Sequence, residues 1–285
     1  MKKKITFIST VILFSRISCF SQDTARDFSQ LRQNMRYRQQ HFVIKDRVDI
    51  PLVIGGAAFS AYNFSRISKK SSTPVSVLEA LHKGDVNWFD RWGVRKYSKS
   101  IDNASYIPFY VAMPYPIIFF ALDNKMRKDF FKLTFLYAEA IIITGVFYSS
   151  AAGYVNRYRP FVYNSETPLD KRSASDSKKS FFAGHVALVS TSTFFMARVY
   201  ADYHPDSHFK WLAYGAASAA TVATAYMRQA AGEHFLSDIL LGTTIGTLSG
   251  ILTPELHQNK LLKNQRLSIY PLSDQGKGFT AIYRL

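Results

Sequence analysis

The sequence predicts an all-α fold, a six-helix bundle ending in a small β-hairpin, and three observations carry that prediction. Six apolar stretches punctuate the chain, at residues 48–64, 105–122, 130–150, 181–203, 211–226 and 239–252. Several approach the ~18–20 apolar residues that a membrane span needs. The composition, 47% hydrophobic and 20% charged with 23 Phe and 17 Tyr, excludes a disordered chain and suits an aromatic-rich helical protein. At 285 residues the chain can bury a sizeable core, and no internal break demands a second domain.

In chain order, the first element is a segment that opens on Lys2, Lys3 and Lys4, runs apolar from Ile5 to Leu13 and reaches small residues at Ser18 and Ser21. That pattern predicts a signal peptide over residues 1–21. Cys19 is the single cysteine, and Arg16 stands where a lipoprotein signal wants an aliphatic residue. A cut after Ser21 leaves a mature chain without disulfides. Residues 22–47 are polar and basic, a surface extension ahead of a helical core at 48–255. Between the first two apolar stretches, 75–81 is a short amphipathic piece within a loop long enough to hold helices of its own. The fifth stretch is rich in alanine, which serves either close helix approach or helix propensity alone. In the tail, 256–285, residues 267–270 and 279–285 flank Gln275, Gly276, Lys277 and Gly278 and predict the hairpin.

The bundle is expected to be membrane-embedded, with one reservation in the numbers. A mean hydropathy of −0.07 is low for six spans, and the third stretch carries Lys132 and Glu139, so a soluble bundle stays open as the alternative. The formal charge of +16 points to anionic lipid surfaces or phosphorylated substrates. No recognition-helix pattern, zinc spacing or stacking motif accompanies it, so nucleic acid is not the expected partner. Nothing in the sequence signals an obligate protein partner.

Three polar segments interrupt the apolar pattern: Asn156-Arg157-Tyr158-Arg159-Pro160, the run from Ser180 to His185, and the run from Arg228 to Asp238. They fall at the third helix's end, the fourth's start and between the fifth and sixth. An up-and-down bundle puts those places on one face. His234 and Asp238 are four apart, the spacing of one helical face, and a carboxylate beside an imidazole can orient it as a nucleophile. Arg159 and Arg228 offer planar charged forks matched to phosphate oxygens. Gly184, at a helix start, lets backbone N–H groups approach an anion, and His185 beside it is placed to protonate a leaving oxygen. Singly, each has a duller explanation as a surface ion pair, a solvated arginine or a helix cap.

Together the three segments resemble the signature of the type 2 phosphatidic acid phosphatase and vanadium haloperoxidase superfamily: Lys-(six)-Arg-Pro, Pro-Ser-Gly-His, and Ser-Arg-(five)-His-(three)-Asp. Arg159-Pro160, Gly184-His185 and Arg228-(five)-His234-(three)-Asp238 match it in order. The resemblance implies that His234 is the nucleophile, His185 the general acid, Asp238 the orienter of His234, and Arg159 and Arg228 the phosphate clamps. It implies a phosphoric monoester hydrolase, or an acid anhydride hydrolase on a lipid pyrophosphate, of the membrane phosphatase branch. It also implies a reaction that needs no metal and no cofactor, with vanadate expected to bind as a transition-state mimic.

The departures fall in the phosphate pocket. Ala152 stands at the lysine position, Phe182 and Ala183 at the Pro-Ser pair, and Met227 at the serine. Losing one charge-assisted phosphate contact costs about 1.5–3 kcal/mol. Arg157, Lys178 or Lys179 can substitute, Arg157 being best placed by sequence, and Ala183 still offers its backbone N–H. The expected substrate is a lipid or isoprenoid phosphate. The alternatives are a catalytically impaired membrane binding or scaffold protein and a vanadium haloperoxidase. The resemblance implies a cell-envelope location, in the inner membrane with the site facing the periplasm. Three spans before residue 157 would instead turn the site to the cytoplasm, so either 48–64 does not cross or the protein is a soluble exported form.

Overall fold

The computed structural model describes residues 41–259 and the backbone of two strands beyond them. The expected signal peptide and most of the polar extension lie outside the described residues. Two compact units emerge, one at 44–257 and one containing the C-terminal strands.

The larger unit is helical throughout. Its elements are α1 (Asp46–Ser68), α2 (Val75–Ala80), α3 (Lys99–Ala104), α4 (Tyr106–Ala112), α5 (Tyr115–Leu122), α6 (Phe130–Tyr154), α7 (Leu169–Ser173), α8 (Gly184–Tyr203), α9 (Phe209–Ala230) and α10 (Leu236–His257). Short 3₁₀ turns at Lys83–Asp85, Arg91–Gly93, Met126–Asp129, Pro160–Tyr163 and Ser175–Lys178 connect them. The single helix expected at 105–122 is instead broken at Met113 and Pro114, because a proline has no N–H to continue the ladder. Three helical stretches, Lys99–Leu122, Met126–Tyr154 and Leu236–His257, are long and apolar enough to cross a membrane.

α8 is the central helix, with α10, α9, α6 and α4 packed around it, while α1 lies on α6. The closest approach is between α8 and α10, at glycines one turn apart. A Cβ at Gly246 would run into the carbonyl oxygen of Ala187, and those at Gly242 and Gly250 would come within 2.6 Å of the carbonyls of Ala183 and Thr191. Small residues at this spacing let two backbones meet. The alanines of α9 have a lesser part: Ala217 is buried with Thr221, Thr224 and Arg228, but much of the helix faces outward.

Apolar side chains such as Leu133, Leu136, Val189 and Phe195 fill the bundle's interior, but buried hydroxyls share it and many apolar side chains also lie on its surface. Inside, hydroxyls bond across helices: Thr144 to Thr191 at 2.8 Å, Tyr137 to Ser192 at 2.7 Å and Ser190 to Thr221 at 3.2 Å. Outside, Tyr110, Leu122 and Trp211 are 67%, 73% and 71% exposed, with Ile54, Ile107 and Tyr226 also on the surface. So broad an exposed apolar surface is uncommon on a monomer in water.

A second, small core forms under the loops. Leu78 of α2 packs with Phe161 and Val162, and Tyr97, Tyr158 and Tyr163 close around them. This cap fixes the loop carrying Arg157 and Arg159. The C-terminal unit holds β1 (Leu267–Pro271) and β2 (Phe279–Tyr283), paired antiparallel with Leu267 opposite Tyr283. The turn of the expected hairpin lies outside the described residues.

Candidate active site

The site is built where α9 ends and α10 begins. Gly232 takes a φ of +78°, a left-handed conformation that favours glycine, and turns the chain so that Glu233 and His234 point into the bundle end. Its carbonyl accepts from Phe161 N–H at 3.1 Å, which ties this turn to the cap. The loop at Ser180 comes against the same turn. The three polar segments singled out in the sequence therefore do meet.

His234 is 3% exposed, and its Nδ1 lies 2.7 Å from the carbonyl oxygen of Ser180. A carbonyl only accepts, so Nδ1 carries the hydrogen and Nε2 of the neutral ring keeps a lone pair. The orienter of the imidazole is thus a backbone carbonyl. Asp238 acts one link further out: its carboxylate accepts from Ser180 Oγ at 2.6 Å, from Phe235 N–H at 3.1 Å and from Arg157. The reason is local. His234 precedes the first turn of α10, so the four-residue spacing does not stack the two side chains on one helical face.

Arg157 and Ala183 also differ from expectation. Arg157 lies 2.6 Å from Asp90, pairs with Asp238 and donates to Ser237 Oγ at 2.9 Å, so its guanidinium is committed to holding the loop. Ala183 N–H donates to the carbonyl of Asp238 at 3.1 Å and is not free for an anion. Lys178 reaches the carbonyl of Ser72 at the surface. Gly184 opens α8 with the ring of Tyr148 against it, where any Cβ would collide.

Arg159 and Arg228 stand beside both histidines. Arg228, 1% exposed, pairs with Asp102, bonds Ser105 Oγ at 3.0 Å and reaches Glu233 at 3.0 Å. Arg159 contacts the same Glu233 oxygen, and Lys171 Nζ lies 3.6 Å from the other. One buried carboxylate thus bridges three cations. The Nε groups of Arg159 and Arg228 are nevertheless buried without a hydrogen-bond partner, leaving two charged N–H donors for an incoming anion.

These charges govern the histidines. Burial first, then the Arg228 and Arg159 guanidiniums, push the His185 imidazole down to about 3, with its ring against Tyr106 and Phe109 at 4.7 and 5.2 Å. The same causes hold His234 well below the usual imidazole range. Both rings are neutral near pH 7. Burial alone would raise Asp90, but hydrogen bonds from Ser237, Asn87 and Arg157 hold its carboxyl below the ordinary value.

Sequence reasoning missed Lys171, Glu233, Asp90, Asp102 and the carbonyl of Ser180. Glu233 stands between Gly232 and His234, and an acidic residue directly before a candidate nucleophile is the signal that marks it. Asp102 lies far from the motif in sequence, Lys171 sits in the stretch between its first two segments, and neither carries a local signal.

Residues 133–262 match the family model of the PAP2 superfamily. Among solved structures, the chain is similar to the first transmembrane PAP2 type phosphatidylglycerolphosphate phosphatase from Bacillus subtilis, at 17% identity and a TM-score of 0.42, over 70% of this chain and 94% of that one. No curated protein matches it.

Proposed function

Residues 133–262, which contain every candidate catalytic side chain, belong to the PAP2 superfamily, and on that premise we propose that this chain is a phosphatase of lipid or isoprenoid phosphate esters, working through a phosphohistidine at His234. The observation that carries the reading is the fixed tautomer of His234, which leaves Nε2 its lone pair, in a ring that feels the charges of Arg228 and Arg159, each with an unpartnered Nε–H.

In the first step Nε2 of His234 attacks phosphorus and the P–O bond to the alcohol breaks. The leaving oxygen takes a proton from His185, and Arg159 and Arg228 hold the equatorial oxygens as charge passes through them. In the second step water attacks phosphorus, the P–N bond breaks, and the proton lost by the water returns to His185. No metal or cofactor enters either step. His185 is neutral in the free protein, so the bound phosphate anion must draw a proton onto it. Lys171 takes the place of the charge missing at Ala152.

The exposed apolar surface and the three long apolar stretches support a membrane-embedded protein whose substrate carries its own apolar tail. The test is phosphate release by detergent-purified protein from a lipid phosphate, an isoprenoid pyrophosphate and an aryl phosphate, minutes after chelator addition, beside His234→Ala. Chelator-resistant release that vanishes in the variant is expected. Release that persists in His234→Ala contradicts the mechanism.

One observation favours a second reading, an impaired site that binds without turnover: Glu233 already fills the space between Arg159, Arg228 and Lys171. A folded protein that binds vanadate yet releases no phosphate from any substrate would establish it.

A further inference from the structure

At the far end of α10 from His234, three buried side chains from three helices converge: Asp49 from the first turn of α1, Glu139 from α6 and His257 from the end of α10. Their nearest ligand-type atoms all lie within 4.8 Å of one another. We propose that they bind one divalent transition-metal ion, Zn²⁺ by preference, which fastens α1, α6 and α10 together.

The hydrogen bonding shows what is missing between them. His257 Nδ1 is 2.7 Å from the carbonyl of Thr253, so Nδ1 carries the hydrogen and Nε2 the lone pair. That lone pair faces Asp49 Oδ2 at 3.1 Å and Glu139 Oε2 at 3.6 Å. Glu139 is 3% exposed, and this same oxygen has no hydrogen-bond partner. Asp49 accepts one bond from the Lys45 N–H at 2.5 Å, which leaves lone pairs for a further partner. Three acceptors aimed at one another require a cation between them.

A proton is an inadequate cation here. A single proton bridges one pair and leaves a net negative charge buried, which is costly away from water, and neutrality from protons alone needs a second one on a carboxylate. A divalent ion takes all three ligands and brings the two carboxylates to neutrality. The spacing fits as well: with bonds of about 2.0–2.2 Å, the edges of a zinc tetrahedron are about 3.3–3.6 Å, against 3.1 and 3.6 Å from Nε2. One nitrogen and two carboxylate oxygens suit Zn²⁺ or Mn²⁺ rather than a soft ion. The Thr253 carbonyl on Nδ1–H is the outer contact that fixes a metal-binding imidazole. With 22 residues between its ends, α10 separates this cluster from the phosphate site by about 30 Å, so its role is to hold the helices.

The experiment uses the full chain in detergent, without a polyhistidine tag, stripped with chelator and dialysed against ZnCl₂, with MnCl₂ and MgCl₂ in parallel. Metal per chain is read by mass spectrometry and stability by thermal unfolding. About one Zn²⁺ per chain and a raised Tm are expected in wild type and in His234→Ala. Glu139→Gln and His257→Gln should each retain under about a fifth of that zinc. Less than a tenth of an ion in folded wild type, or full occupancy in both variants, overturns the proposal. Should either variant fail to fold, X-ray absorption on the wild-type zinc protein decides: one nitrogen with oxygens near 2.0 Å supports the site, and a ligand shell with several imidazoles overturns it.

Discussion

The two ends of α10 treat buried charge in opposite ways. At the start, Arg157, Arg159, Lys171 and Arg228 already face carboxylates, and under the proposed function an incoming phosphate displaces one of them, Glu233. At the end, two carboxylates meet one imidazole, and among the described residues no lysine or arginine pairs with them. The first arrangement is a compensated network that exchanges one anion for another. The second lacks a partner of definite sign. A buried ion pair says little about stability by itself, but its completeness or incompleteness says what kind of ligand the site takes.

The comparison breaks most visibly at Arg228. Replacing it by lysine keeps the charge and loses the planar fork that joins Asp102, Ser105 and Glu233. A loss of about 10²–10³-fold in kcat/KM is expected, with little change in the zinc content of the other end. A loss below threefold would show that the fork does not hold the transferring group.

Glu233→Gln sharpens the same point in the opposite direction. With the internal anion gone, vanadate should bind about tenfold tighter, as suits the removal of one competing charge-assisted contact. Lys171→Met should weaken vanadate by a similar factor. Titration calorimetry separates the two, and weaker binding in Glu233→Gln would mean that this carboxylate positions the arginines rather than occupying the anion's place.

A smaller effect concerns protons. His185 sits at about 3 in the free protein, so it is unprotonated at pH 6, and a bound anion raises it. Vanadate binding at pH 6 should therefore take up protons, about one per chain and fewer as the pH rises. Calorimetry in buffers of different ionisation enthalpy reads this number directly. It should fall by about one in His185→Gln, and equal uptake in both proteins would contradict the role of His185 as the acid.

The helices were legible because apolar runs mark them, although Pro114 broke one run into pieces and α8 begins only at Gly184, three residues later than its apolar run. The meeting of three polar segments was legible because their spacings are fixed by helix ends. What orients His234 was not, because a backbone carbonyl leaves no trace in residue identity. By sequence position Arg157 is the natural substitute for the charge missing at Ala152, but Asp90, 67 positions earlier, takes its fork. Long-range ion pairs of this kind depend on which loops fold over which, and no local pattern records them. Glu139 was visible as a charge in an apolar helix; only the fold brings Asp49 and His257 to it.

The most direct measurement is rapid quenching of a turnover with phosphorus-labelled substrate, followed by peptide mapping of the label. An acid-labile, base-stable phosphate on the peptide containing His234 is expected, absent in His234→Ala and, with an aryl phosphate whose leaving group needs no acid, accumulating in His185→Gln as hydrolysis slows. Turnover at an ordinary rate with no label on His234 in either wild type or His185→Gln would contradict the phosphohistidine route.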